Sequence, residues 1–145
     1  MPVDYTNVTI CNDYYDYDLV TSNPNKLFVF GDNCQHKGKG GQAVIRNLPN
    51  TFGIATKRRP SMDSDAFFAD ELDDFLAIDK DMNMLYQIYQ AKVFSHIVFP
   101  VNGLGTGLSN MPKYSPVAFK CLLDRLFREY GLSWHVPSKQ LYFLD

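Results

Sequence analysis

The chain has 145 residues and a formal net charge of -2, with 46% hydrophobic and 21% charged residues. That length suits one domain over residues 1–145, burying roughly 68–70% of its extended-chain surface without staples, and its hydrophobicity excludes a disordered linker. Near-neutral charge argues against strong non-specific nucleic-acid binding but leaves room for a local basic pocket that takes one phosphorylated small molecule.

In chain order, Val8-Thr9-Ile10 predicts a short first strand, followed by a Tyr- and Asp-rich segment from Asn12 to Asp18 and a turn at Asn23-Pro24-Asn25. Lys26-Leu27-Phe28-Val29-Phe30 is continuously apolar, as a strand buried on both faces requires. It runs into Gly31-Asp32-Asn33 and a glycine-rich loop, Lys37-Gly38-Lys39-Gly40-Gly41. A short helix is expected from Gln42-Ala43-Val44, ending before Pro49. Phe52 to Thr56 predicts a second inner strand, ended by Lys57-Arg58-Arg59-Pro60.

The acidic middle carries Leu72, Phe75, Leu76, Ile78, Met82, Leu85 and Tyr89 at helical spacing, which fits one broken helix or two consecutive ones. Its aspartates, from Asp70 to Asp81, read as a solvated face. His96 to Val101 predicts a third buried strand, and a second glycine-rich loop follows, Asn102-Gly103-Leu104-Gly105-Thr106-Gly107. The next helix has Ser115 as N-cap, Pro116 at its first position and Gly131 at its stop. Val117, Cys121, Leu122, Leu126, Phe127 and Tyr130 form its expected buried stripe, and Leu141 to Leu144 predicts a last strand. Alternating strands and helices imply a three-layer α/β domain with a mixed sheet flanked by helices.

Both glycine loops leave the C-terminal ends of inner strands, the edge where open α/β sheets bind ligands. Gly38, Gly40 and Gly41 let a ligand approach the backbone, and the amides opening the Gln42 helix suit phosphate oxygens. Asp32 and Asn33 suit an adenine amine or ribose hydroxyls. Gly103, Gly105 and Gly107, with the Thr106 hydroxyl, make a second cradle, so two loops can clamp a diphosphate. The first loop matches neither the Walker A pattern GxxxxGK[ST] nor the dinucleotide-binding pattern GxGxxG. The basic run reads either as a solvated turn or as a phosphate contact beside Lys57, an amine nucleophile whose pKa neighbouring cations would lower. Tyr14, Tyr15 and Tyr17 suit base stacking, or core and turn packing.

Met1 to Tyr5 shows no basic region followed by an apolar run, and no stretch approaches the ~18 apolar residues of a spanning helix. Cys11, Cys34 and Cys121 form no CxxC pair, and His36, His96 and His135 are scattered. These features predict a cytoplasmic protein with free thiols, no metal, no cofactor and no membrane partner.

Phe30-Gly31-Asp32-Asn33 before Gly38-Lys39-Gly40-Gly41-Gln42-Ala43 resembles the first ligand loop of macro domains, and Phe99 to Gly107 resembles their second. The likeness runs from Leu27 to Tyr130 and is nearest to the terminal ADP-ribose protein glycohydrolase class, in a small bacterial or viral form. It implies ADP-ribose or a related NAD-derived nucleotide as ligand. The contacts it implies are Asp32, Asn33, Gly38, Gly40, Gly41, Gln42 and Ala43 from the first loop. From the second they are Asn102, Gly103, Leu104, Gly105, Thr106, Gly107 and Leu108. Thr56-Lys57-Arg58-Arg59 is similar to the strand bearing that class's catalytic lysine, which Lys57 matches, but Ser109 stands where the class has its catalytic aspartate. Serine cannot take up a proton as a carboxylate does. Binding, with sequestration of the nucleotide, is therefore the leading expectation. Removal of ADP-ribose from protein or nucleic acid, with Asp32 or Asp70 replacing the missing carboxylate, is the alternative, and a protein–protein adaptor is a third.

Overall fold

The computed structural model describes residues 5–133. Strands β1 (Val8–Cys11), β2 (Lys26–Asn33), β3 (Thr51–Lys57) and β4 (His96–Pro100) form one sheet in the order β1-β4-β2-β3. All three pairings are parallel. The expected mixed sheet is thus a parallel one among the described residues, because each consecutive pair of strands is joined by a crossover rather than a hairpin. The expected strand over Leu141 to Leu144 lies outside the described residues, as does His135.

The period-2 alternation of β2 divides the core. Leu27 and Val29 pack on one face with Ile78, Met82 and Leu85 of α2 (Leu72–Ala91) and with Phe119, Leu122 and Leu126 of α4 (Pro116–Tyr130). Phe28 and Phe30 pack on the other with Val20 of α1 (Tyr17–Thr21) and with Ala43 and Ile45 of a 3-10 turn over Gly41–Ile45. Three layers result. The short α1 is unanticipated; Asp16 caps it by accepting from Leu19 N at 2.7 Å.

The acidic middle is one continuous 20-residue helix. Its buried stripe is Asp74, Ile78, Met82 and Leu85, so Leu72 and Leu76, expected on that stripe, are exposed instead. The stripe is shifted because Asp74 goes inward as an ion-pair partner. Its carboxylate accepts from Arg58 Nε and Nη2 at 3.0 Å each, and from the Ala69 and Glu71 amides. Burial raises the Asp74 carboxyl, but these donors outweigh it and hold it below the usual range.

Helix α4 starts after Ser115 and stops at Gly131, as expected, but Asp70 supplies the capping bonds. Its carboxylate accepts from Ser115 Oγ, Val117 N and Ala118 N at 2.8, 3.2 and 2.7 Å. The buried stripe is Ala118, Phe119, Leu122, Leu126 and Tyr130; Val117, Cys121 and Phe127 are exposed. A further short helix, α3 (Met111–Tyr114), precedes it. No helix among the described residues is long and apolar enough to cross a membrane.

Candidate functional site

The connection after β2 runs over one face of the sheet and the connection after β4 over the other, although the two strands are neighbours. Their loops therefore diverge at the C-terminal edge and leave a crevice, the place where parallel sheets bind ligands. The crevice holds about 620 Å³, within the range of small-molecule sites.

Most of the residues singled out in the sequence line it. From the first loop these are Asp32, Asn33, Gly38, Gly40, Gly41, Gln42 and Ala43; from the second, Asn102, Gly105, Thr106, Gly107 and Leu108; and Lys57 and Ser109 join them. Gly103 and Leu104 are not in the lining. Leu104 is 1% exposed and belongs to the core under the sheet, anchoring the loop from below. Gly103 instead offers its carbonyl to Gln42 Nε2 at 3.0 Å, while Gln42 Oε1 accepts from Gly31 N at 2.8 Å. One side chain thus ties the two loops together. The expected helix at Gln42 is only a 3-10 turn, so it offers no extended helix dipole to an anion.

The second loop presents a run of amides to the crevice edge. The amides of Gly105, Thr106, Gly107 and Leu108 donate to no acceptor among the described residues, and Thr106 Oγ1 donates to Asn102 O at 2.6 Å. Successive unpaired amides in a glycine turn form an anion-binding nest. A Cβ at Gly40 would lie 3.5 Å from Leu108 Cδ1, so the two loops approach one another.

Strand β3 delivers Lys57 through an irregularity. Asp32 pairs with Ala55 but Asn33 pairs with Lys57, which leaves Thr56 as an extra residue. Such a bulge re-aims side chains, and here both Thr56 and Lys57 line the crevice, which strict alternation forbids. The Lys57 ammonium lies 4.5 Å from the centroid of the Phe67 ring and 3.5 Å from Met62 Sδ, with no carboxylate in ion-pair range among the described residues. Its pKa is lowered by burial, not by neighbouring cations as the sequence suggests. Arg58 pairs with Asp74 and Glu71, and Arg59 with Asp63 and Asp65. Neither lines the crevice, whose cationic lining residues, among those described, are Lys37 and Lys57.

Asp32 and Asn33 are already committed to the protein. Asp32 Oδ2 accepts from Arg46 Nε at 3.3 Å and lies 3.0 Å from His36 Nδ1, and Oδ1 accepts from Asn33 N and Arg46 Nη2. Burial raises its pKa, but the Arg46 and His36 bonds prevail and lower it. Asn33 Nδ2 donates to Lys37 O at 2.7 Å, and its Oδ1 accepts from Gln35 N at 3.0 Å. Asp70, the other suggested carboxylate, caps α4 and is absent from the lining.

Sequence reasoning missed Asp13, Pro60, Ser61, Met62, Pro100 and Val101 as lining residues. For the three tyrosines it favoured core and turn packing over base stacking. Both Tyr14 and Tyr15 line the crevice; Tyr15 is buried, its hydroxyl donating to Val29 O at 2.8 Å, while Tyr14 is 89% exposed. Among the described residues no group of three His, Cys, Asp or Glu could hold a metal ion.

Fold and site together define a parallel α/β domain with a crevice at the C-terminal edge of its sheet, lined by two glycine-rich loops. The chain belongs to a family of unknown function (DUF7831), whose model matches residues 10–125. No curated protein and no solved structure matches it.

Proposed function

We propose that the crevice binds ADP-ribose or a closely related NAD-derived nucleotide and sequesters it. One observation carries this reading. The amides of the second glycine loop, with no acceptor among the described residues, and two lysines, with no carboxylate partner among them, line the same crevice, where a diphosphate would satisfy both. The loop likeness to macro domains points the same way. A thermal-shift series with ADP-ribose, its cyclic forms and NAD tests it: ligand at about 100 times Kd adds about 2.7 kcal/mol to apparent stability. Sequestration further requires that the nucleotide be recovered intact after denaturation. No shift with any of these nucleotides refutes the reading.

A second reading, removal of ADP-ribosyl groups from protein or nucleic acid, draws on Lys57. Burial favours its neutral amine, which is the nucleophilic form. Against it, Ser109 brings no carboxylate, Asp32 is locked to Arg46, and Asp70 is elsewhere. Incubation with ADP-ribosylated protein and nucleic acid separates the readings. Binding alone releases no ADP-ribose; hydrolysis releases it and stops in Lys57→Met.

A further inference from the structure

We propose that Arg46 is the positioning residue of the first glycine loop, and that its guanidinium, seated on Asp32, holds residues 38–41 in the form that receives a ligand. Arg46 follows the 3-10 turn over Gly41–Ile45 and is absent from the crevice lining, so it acts through other groups. All three guanidinium nitrogens are used: Nε and Nη2 on the two Asp32 oxygens, and Nη1 on the carbonyl of Gly38. The side chains are 11% and 2% exposed.

Gly38 needs such a tether. It sits at φ +83, in a loop whose residues 34–40 belong to no helix or strand. The neighbouring bond from Asn33 Nδ2 to Lys37 O restrains only the loop's approach to Gly38. As a stability element, a buried ion pair is replaceable by apolar side chains of similar volume. The bond to Gly38 O is what such a replacement cannot supply. Lysine cannot supply it either, because a single ammonium lacks the fork that spans a carboxylate and a carbonyl together.

The ligand half of this inference rests on the proposed nucleotide reading; the loop half does not. Lys37 and Lys39 are exposed tryptic sites within the loop, so cleavage there reports its order without any ligand. The full chain is compared as wild type, R46A, R46K and the double variant D32N/R46M, which removes both charges together. Tryptic cleavage after Lys37 and Lys39 is expected to rise at least tenfold in all three variants. The urea midpoint of D32N/R46M should stay close to wild type, and ADP-ribose affinity should fall at least tenfold in it. Millimolar guanidinium ion should slow cleavage of R46A, since it refills the fork; a merely structural defect does not respond this way. Unchanged cleavage in R46K and D32N/R46M overturns the proposal, and so does D32N/R46M binding ADP-ribose as wild type does. Faster cleavage with guanidinium rescue, in a chain whose wild type binds no ADP-ribose, upholds the positioning role and refutes the nucleotide reading instead.

Discussion

Replacing Gly105 with alanine puts a methyl group 2.7 Å from Met111 Sδ and 3.3 Å from Phe119 Cδ1, at a backbone φ of +84. Met111 and Phe119 are fully buried, so the neighbours have no solvent to move into. The left-handed conformation costs an L-residue about 1–2 kcal/mol, and forcing a methyl into a packed core costs about 1–3 kcal/mol. The expected loss is therefore about 2–5 kcal/mol, or roughly 8–20 °C in Tm at about 4 °C per kcal/mol. Gly107, two residues on, differs in both respects: nothing lies within 4 Å of its would-be Cβ, and its φ lies outside the left-handed range. Gly107→Ala should change stability by less than about 0.5 kcal/mol, while the bulkier Gly107→Val should weaken ADP-ribose binding at least tenfold because the side chain enters the crevice. Urea unfolding of both alanine variants, with calorimetric titration of Gly107→Val, makes the comparison. A Gly105→Ala midpoint equal to wild type, or an equal loss in Gly107→Ala, refutes the division of this loop into a packing glycine and a ligand-facing one.

Three other outcomes are expected. Asp70→Ala removes the bonds that begin α4 and should cost about 1–2 kcal/mol; calorimetry should show its nucleotide affinity unchanged, since Asp70 lies outside the crevice. Asp81 accepts from Ala55 N at 2.8 Å, and burial raises its pKa. Its stabilising form is then the protonated one, present below the ordinary Asp value of about 3.9 and lost as pH rises through the folded value. Asp81→Asn keeps an acceptor for Ala55 without the buried charge, so its urea midpoint should exceed wild type at pH 7 and converge with it in acid. Asp32 and Asp74 have the opposite sign. Their lowered values mean stability that is present above about pH 3.9 and lost as pH falls through the folded values. Arg58→Met, which removes the partner of Asp74, should flatten the acid limb of a midpoint-against-pH curve.

The strands around the crevice were legible because a doubly buried strand must be continuously apolar, and Leu27 to Phe30 and Ile97 to Phe99 are. The bounds of α4 were legible from local signals, proline at the start and glycine at the stop, but its capping partner Asp70 was not. The face of α2 was not. Its hydrophobic periodicity fits Leu72 and Leu76 as readily as Ile78 and Met82, and the choice is made by Arg58, which draws Asp74 inward from 16 residues away. The three aspartates read as solvated surface illustrate the same limit: Asp70, Asp74 and Asp81 each accept a backbone amide. Hydrogen bonding between distant segments leaves no periodic trace. Nor does the bulge at Thr56, which depends on the register between β2 and β3.

That limit bears directly on the site. In the sequence Lys37, Lys39, Lys57, Arg58 and Arg59 cluster on the glycine-loop half of the chain, against an acidic helical middle. Tertiary pairing separates them. Arg58 and Arg59 are taken up by Asp63, Asp65, Glu71 and Asp74, carboxylates from β3's own connection and from the start of α2. Lys57 alone of that run lines the crevice, desolvated and with no carboxylate in ion-pair range among the described residues. A desolvated ammonium with no counter-ion is unfavourable in the empty protein, and an anionic ligand relieves that cost when it binds. The net charge of -2 therefore hides an uneven arrangement, in which carboxylates pair with Arg58 and Arg59 outside the crevice and not, among the described residues, with Lys57 inside it. Lys57→Met should raise thermal stability without ligand and weaken ADP-ribose binding at least tenfold. A variant that loses stability and keeps its affinity would show that Lys57 serves the fold instead.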